Sequence, residues 1–176
     1  MTAELSPGKQ YQQMLMARVG EEDPALIQAR TPDLVRQLVS DAGQELRTKP
    51  APGEFSILEL VGHMLDAEMV SATRYRWILA EDKPALPGYE QDDWVRVSTY
   101  VDADPAELLE AFSALRKLNL ALWQRTPASE RQRFGEHSER GPESYEVTFR
   151  LIAGHDLIHL DQGRETLAAV RAVQKG

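Results

Sequence analysis

The sequence predicts an all-α protein, a four-helix bundle with one long crossover connection, and three observations carry that prediction. Helix start signals recur along the chain. Runs of β-branched and aromatic residues never alternate for more than a few positions, so strand signals are thin. Four long amphipathic segments are joined by connections that are partly short and partly long. The chain has 176 residues, 42% of them hydrophobic. That is enough for one well-filled core and too little for two, so 1–176 reads as a single domain, with 1–30 as an N-terminal extension or short helix.

Lys9 to Val19 fits a first short helix, interrupted by Gly20 and by Glu22-Asp23-Pro24. Thr31 as N-cap with Pro32 at the first helical position predicts the first main helix, carrying Leu34, Val35, Leu38, Val39 and Leu46. Pro50-Ala51-Pro52-Gly53 ends it. Ser56 and Glu59 form a capping box, and behind it a helical pattern runs from Ile57 to about Ala80. Lys83-Pro84 and Leu86-Pro87-Gly88 break that pattern. A long connection then runs from Tyr89 to Asp102 with Trp94 and Tyr100 in it, of the kind that folds over something. Asp104-Pro105 with Glu107 opens a third helix to Trp123. Thr126-Pro127 suggests one helical turn, Phe134 to Pro142 a polar loop, and Ser144 the cap of a fourth helix reaching Val173.

Composition narrows the function. A formal charge of −8 repels phosphate backbones and anionic headgroups, so neither nucleic acid nor membrane is an expected partner. The absence of cysteine removes disulfides, thiolate nucleophiles and cysteine-type zinc sites, so thiol chemistry needs a thiol from outside. The N-terminus has no basic start followed by an apolar run, and no stretch approaches the ~18 apolar residues of a membrane span. The expectation is a cytoplasmic protein.

The chemistry rests on histidines. His155 and His159 are four residues apart, which on a helix sets both imidazoles on one face within reach of one ion. Stepping a hundred degrees per residue from His155, the stripe also holds Thr148, Ile152, Gln162 and Thr166. His63 lies on a stripe with Leu60, Ala67, Val70 and Ile78, together with Glu59 and Arg74. One inward imidazole is more often a satisfied core residue than a ligand. Three of them compete for few donors, and a shared ion resolves the conflict. Three neutral histidines from two helices match a catalytic zinc site with an open fourth position; nickel, iron or manganese also suit imidazole.

Asp66, Asp156 and Asp161 lie close enough in sequence to orient imidazole N–H groups, although such acids are as often merely solvated, and Asp156 reads as facing a neighbouring element. Glu59 is a candidate fourth ligand whose simpler role is the capping box. His137, in a Gly-flanked loop, reads as a surface residue. Phe112, Arg116, Asn119 and Trp123 share one side of the third helix, as pocket lining or with Arg116 reaching solvent or an acid on another helix. Tyr89 and Trp94 read as a lid, or more simply as anchors of their loop.

With these residues placed, the chain resembles the DinB-like superfamily, four-helix-bundle proteins that include bacillithiol and mycothiol S-transferases and metal-dependent hydrolases. The resemblance runs from about Thr31 to Leu167. It is carried by Thr31-Pro32, by Pro52-Gly53-Glu54-Phe55-Ser56 leading into Leu60-Val61-Gly62-His63-Met64-Leu65-Asp66-Ala67-Glu68, by Leu86-Pro87-Gly88-Tyr89 with Trp94, and by Gly154-His155-Asp156-Leu157-Ile158-His159-Leu160-Asp161-Gln162. The family's metal histidines fall on His63, His155 and His159. Phe55 stands where members commonly carry tryptophan. The resemblance implies a divalent metal in a bundle pocket, often in a homodimer, in a bacterial cytoplasm. The fourth helix adds a second apolar face, Phe149, Ala153, Leu157, Leu160 and Leu167, so it is either central or meets a partner.

Three functions follow as expectations. The first is a metal-dependent thiol S-transferase, with a low-molecular-weight thiol as cosubstrate, a small electrophile, and Arg116 as a receiver of an anionic part of the thiol. The second is a hydrolase using metal-activated water, which wants a carboxylate base from Glu59, Asp66 or Glu68. The third is a non-catalytic, metal-stabilised stress protein.

Overall fold

The computed structural model describes residues 5–173. The N-terminal reading over Met1 to Glu4 therefore lies outside the described residues. Among the described residues six α-helices appear in order: α1 (Pro7–Val19), α2 (Pro24–Ala42), α3 (Ile57–Ala80), α4 (Gln91–Ser98), α5 (Pro105–Arg125) and α6 (Tyr145–Val173). The bundle is α2, α3, α5 and α6. In it α6 and α5 each border both α2 and α3, so α2 and α3, consecutive in sequence, sit diagonally. The short α1 packs along α6.

The first main helix starts seven residues before the Thr31-Pro32 signal (31 − 24 = 7). Asp23 is its true N-cap, accepting from the Ala25 N–H at 2.8 Å, with Pro24 at the first helical position. Pro32 then lies inside α2. A proline there has no N–H for the carbonyl four residues back, which is that of Gln28. Arg116 Nη1 donates to that carbonyl at 3.1 Å, so the helix continues through the proline with its orphaned acceptor satisfied from α5. Thr31 Oγ1 bonds the Ile27 carbonyl at 2.9 Å in the same turn.

The capping box of α3 is formed as its sequence predicts, with Ser56 and Glu59 exchanging side-chain and backbone bonds. Two connections differ from expectation. The Tyr89–Asp102 stretch contains α4, with Asp92 and Asp93 in its first turn, followed by a 3-10 turn at Tyr100–Asp102. The stretch read as a polar loop is a hairpin, β2 (Phe134–His137) and β3 (Gly141–Ser144), with Gly135 opposite Glu143 and His137 opposite Gly141. Beside β2 runs β1 (Ala85–Leu86), in parallel. Strands of two to four residues are too short to show alternation, and their glycines and proline hide them further.

The main core joins α2, α3, α5 and α6 through Val35, Leu58, Val61, Phe112 and Leu160. A second, aromatic cluster lies at the hairpin end, where Trp123 stacks flat on Phe149 at 4.0 Å beside Tyr75 and Tyr145. A third small cluster seats Ala153 of α6 against Val19 of α1 and Ile27 of α2, with Leu157 packed on it. The second apolar face of α6 is thus covered within the chain, and α6 is central. Among the described residues no helix is long and apolar enough to cross a membrane.

Candidate metal centre

Two glycines place the histidines. A Cβ on Gly62 would overlap the Tyr100 ring, and one on Gly154 would overlap the Leu15 carbonyl, so each residue preceding His63 and His155 lets a neighbouring element lie directly on its helix. The imidazoles of His63, His155 and His159 then converge between α3 and α6. They are 1%, 7% and 9% exposed. Their Nε2 atoms form a nearly equilateral triangle: 3.0 Å from His63 to His155, 3.2 Å from His63 to His159, and 3.0 Å from His155 to His159.

That triangle passes a fit test for a single ion. Nitrogens at about 2.0–2.1 Å from one cation, with angles between octahedral and tetrahedral, stand roughly 2.9–3.4 Å apart. The observed edges lie inside this range. Protonation also fits. Burial, with the neighbouring His159 charge as a lesser cause, takes His63 down to about 3. Burial likewise holds His155 well below, and His159 below, the usual imidazole value; Gln162 acts against the shift at His159. All three rings are neutral near pH 7 and have lone pairs to give. Gln162 Oε1 sits 2.7 Å from His159 Nδ1, which fixes the proton on Nδ1 and leaves Nε2 bare toward the cluster. Gln162 therefore fills the orienting role for which the acids were candidates.

Those acids are engaged elsewhere. Glu59 bonds Ser56 and pairs with Lys49 at 2.9 Å; burial pulls its pKa up, but these partners outweigh burial and hold it low. Asp66 accepts from the Tyr100 hydroxyl at 2.5 Å. Asp161 bridges Arg18 and Arg164 on the surface. Asp156 receives both terminal nitrogens of Arg116, at 2.6 and 3.0 Å. Glu68 takes Arg116 Nε at 3.0 Å and Asn119 Nδ2 at 2.8 Å. Arg116 and Asn119 are therefore absent from the pocket wall. With the Gln28 carbonyl included, Arg116 instead ties all four bundle helices together from the interior.

Over His63 and His155 opens a cleft of about 180 Å³. Tyr89 lines it, whereas Trp94 packs outside, 4.7 Å from the Tyr89 ring and 37% exposed, as an anchor. His137 is a correction, because it is 3% exposed and sits in the cleft wall. The hairpin turns it inward. Further lining residues are Arg74 and Thr148, which the sequence places on the histidine stripes, and Tyr11, Gln12, Arg140 and Glu143, which went unread. Arg74 shares the His63 stripe and Thr148 the His155 stripe, so periodicity held a signal for these two. Tyr11 and Gln12 depend on where α1 docks, which no local pattern encodes.

Comparison with known proteins points to one family and one fold. The DinB superfamily profile matches residues 27–162. A Geobacillus thermodenitrificans protein provisionally named a metal-dependent hydrolase is 34% identical over 68 residues, a match spanning 38% of either chain. A protein of the same provisional name from Oceanobacillus iheyensis is 25% identical over 131 residues, 73% of this chain and 75% of that one. Among solved structures, YfiT from Bacillus subtilis, described as a metal-dependent hydrolase by provisional assignment and as an unusual four-helix bundle, superposes with a TM-score of 0.74. It has 20% identity, covers 94% of this chain and 90% of its own, and shows a shared fold.

Proposed function

The chain belongs to the DinB superfamily, and on that footing we propose that it is a metal-dependent enzyme acting on a small molecule, with His63, His155 and His159 holding one divalent cation. The observation that carries this reading is the triangle of Nε2 atoms, 3.0–3.2 Å on a side and buried. Zinc is the first choice and nickel, iron or manganese are alternatives. Such an ion supplies Lewis acidity, lowering the pKa of a thiol or a water at its open position.

The chain's own residues do the rest. Gln162 holds the His159 ring in its ligating tautomer. Leu151, Ile152 and Val70 give the cleft an apolar wall that limits water. Tyr89 lines the cleft, and burial keeps its hydroxyl protonated and able to donate.

Transfer of a low-molecular-weight thiol to a small electrophile is the finer reading, favoured by the state of the wall carboxylates. Glu143 is bonded by Arg140, Thr148 and Gln12, and Glu139 is exposed at the rim. A metal-activated thiol needs no further base, whereas hydrolysis gains from a carboxylate poised to take a proton. Hydrolysis is the second reading, supported by the provisional names of the relatives.

Elemental analysis of the purified protein tests the metal. Roughly one equivalent per chain, lost in His159→Ala and kept in His137→Gln, is the expected result; no metal even after reconstitution overturns both enzyme readings. Thiol consumption with an electrophile then supports transfer, and ester or amide turnover without thiol supports hydrolysis. Loss of the ion with little loss of stability separates either from a structural staple.

A further inference from the structure

Eleven residues beyond His63 on α3 (74 − 63 = 11), Arg74 enters the same cleft, about 16 Å further along the helix axis. Its side chain is 7% exposed. Nη2 donates to the Pro87 carbonyl at 2.6 Å, while Nε is buried with no partner. Among the described residues no carboxylate lies within ion-pair distance of it. Burial, then the nearby Arg140 charge, lowers its pKa, and the charge of Glu143, beyond ion-pair distance, opposes the shift without cancelling it. Leaving a guanidinium in this state is costly unless something anionic joins it.

Across the cleft, His137 presents a second unmet donor. Its Nδ1 accepts the Glu139 N–H at 3.1 Å, so the neutral ring carries its proton on Nε2. That Nε2 is buried without a partner. Neighbouring groups do not fill the gap. Arg140 is already forked onto Glu143, at 2.6 and 3.1 Å, and the remaining capacity of Glu143 goes to Thr148 at 3.1 Å and Gln12 at 3.2 Å. Away from the histidine cluster, where His63 Nδ1 is likewise without a partner, this end of the wall holds two buried unmet donors, one of them charged, and its buried carboxylate Glu143 is already bonded.

We propose that this end of the cleft is an anion subsite, in which Arg74 Nε and His137 Nε2 take the carboxylate or phosphate oxygens of a small ligand whose other end faces His63 and His155. The orientation toward the histidines rests on the metal-dependent reading; the anion contact does not. A cleft of about 180 Å³ that opens to solvent suits a small molecule.

Calorimetric titration of succinate and of inorganic phosphate into the protein as purified tests the subsite. Wild type binds one anion per chain, the tighter of the two showing whether the group is carboxylate or phosphate. Arg74→Gln weakens that binding about tenfold or more, the usual range for a lost charge-assisted hydrogen bond. His159→Ala, which removes a metal ligand, retains it, and Arg74→Gln retains wild-type metal content, so the subsite and the metal reading fail separately. If Arg74→Gln does not fold, His137→Leu takes its place, with weakened binding expected. Absence of binding of both anions to wild type, unchanged binding in the folded variant, or loss in His159→Ala with retention in Arg74→Gln would overturn the proposal.

Discussion

Arg116 of α5 reaches the Gln28 carbonyl of α2 at 3.1 Å, the acceptor that Pro32 leaves without a donor. The same guanidinium holds Asp156 of α6 and Glu68 of α3. Removing it strands two buried carboxylates and a carbonyl. Arg116→Met is therefore expected to destabilise the fold by about 3–5 kcal/mol. Urea unfolding measures this, and metal content of the fraction that folds should be unchanged, because Arg116 touches none of the three histidines.

Gln162 bonds His159 of the three clustered histidines, so its effect on an ion held there passes through that ring. Gln162→Leu keeps the side chain's bulk and frees the ring to rotate, so affinity for the divalent ion is expected to fall about 10–100-fold. Competition with a chromophoric chelator gives the constant, and an unchanged value would remove Gln162 from the site.

Gly154 admits the α1 backbone at Leu15. Because the obstruction is a carbonyl and its chain, Gly154→Ala must push α1 outward, at a cost of about 1–3 kcal/mol typical of overpacking. Tyr11 and Gln12 leave the cleft wall with it. Faster proteolysis between α1 and α2 in the variant is the expected sign.

His137 sets a pH dependence. Burial first, then Arg140, Arg74 and Lys9, lowers its pKa to about 4, with Glu143 opposing. The unfolded chain titrates this ring near the ordinary imidazole value of 6.5 and so binds more protons below that pH. The stabilisation from keeping His137 neutral is complete above pH 6.5 and lost as pH falls toward 4. The denaturation midpoint of wild type should drop over this window more steeply than that of His137→Gln.

Much of this was legible in the residues. Ser56 and Glu59, Asp104-Pro105 and Ser144 mark three helix starts by local chemistry, and the spacing of His155, His159 and Gln162 survives because a helix turns a sequence interval into a direction. Pro32 misled for a physical reason: a proline signals a helix start only when no distant donor can satisfy the carbonyl it orphans, and Arg116 is eighty-four positions away (116 − 32 = 84). His137 misled because a strand pair of four residues each turned a polar loop into a wall. Arg74 and Thr148 lay on the right stripes but became lining residues only once α1 and the hairpin closed the cleft.

The diagonal placement of α2 and α3 has a consequence for how the chain comes off the ribosome. The first two bundle helices to be synthesised pack mainly on α5 and α6 and little on each other, so their apolar faces are covered only when those helices arrive. That same α6 brings two of the three clustered histidines. Folding therefore depends on contacts far apart in the chain, and the nascent bundle keeps apolar surface exposed until α6 has been made.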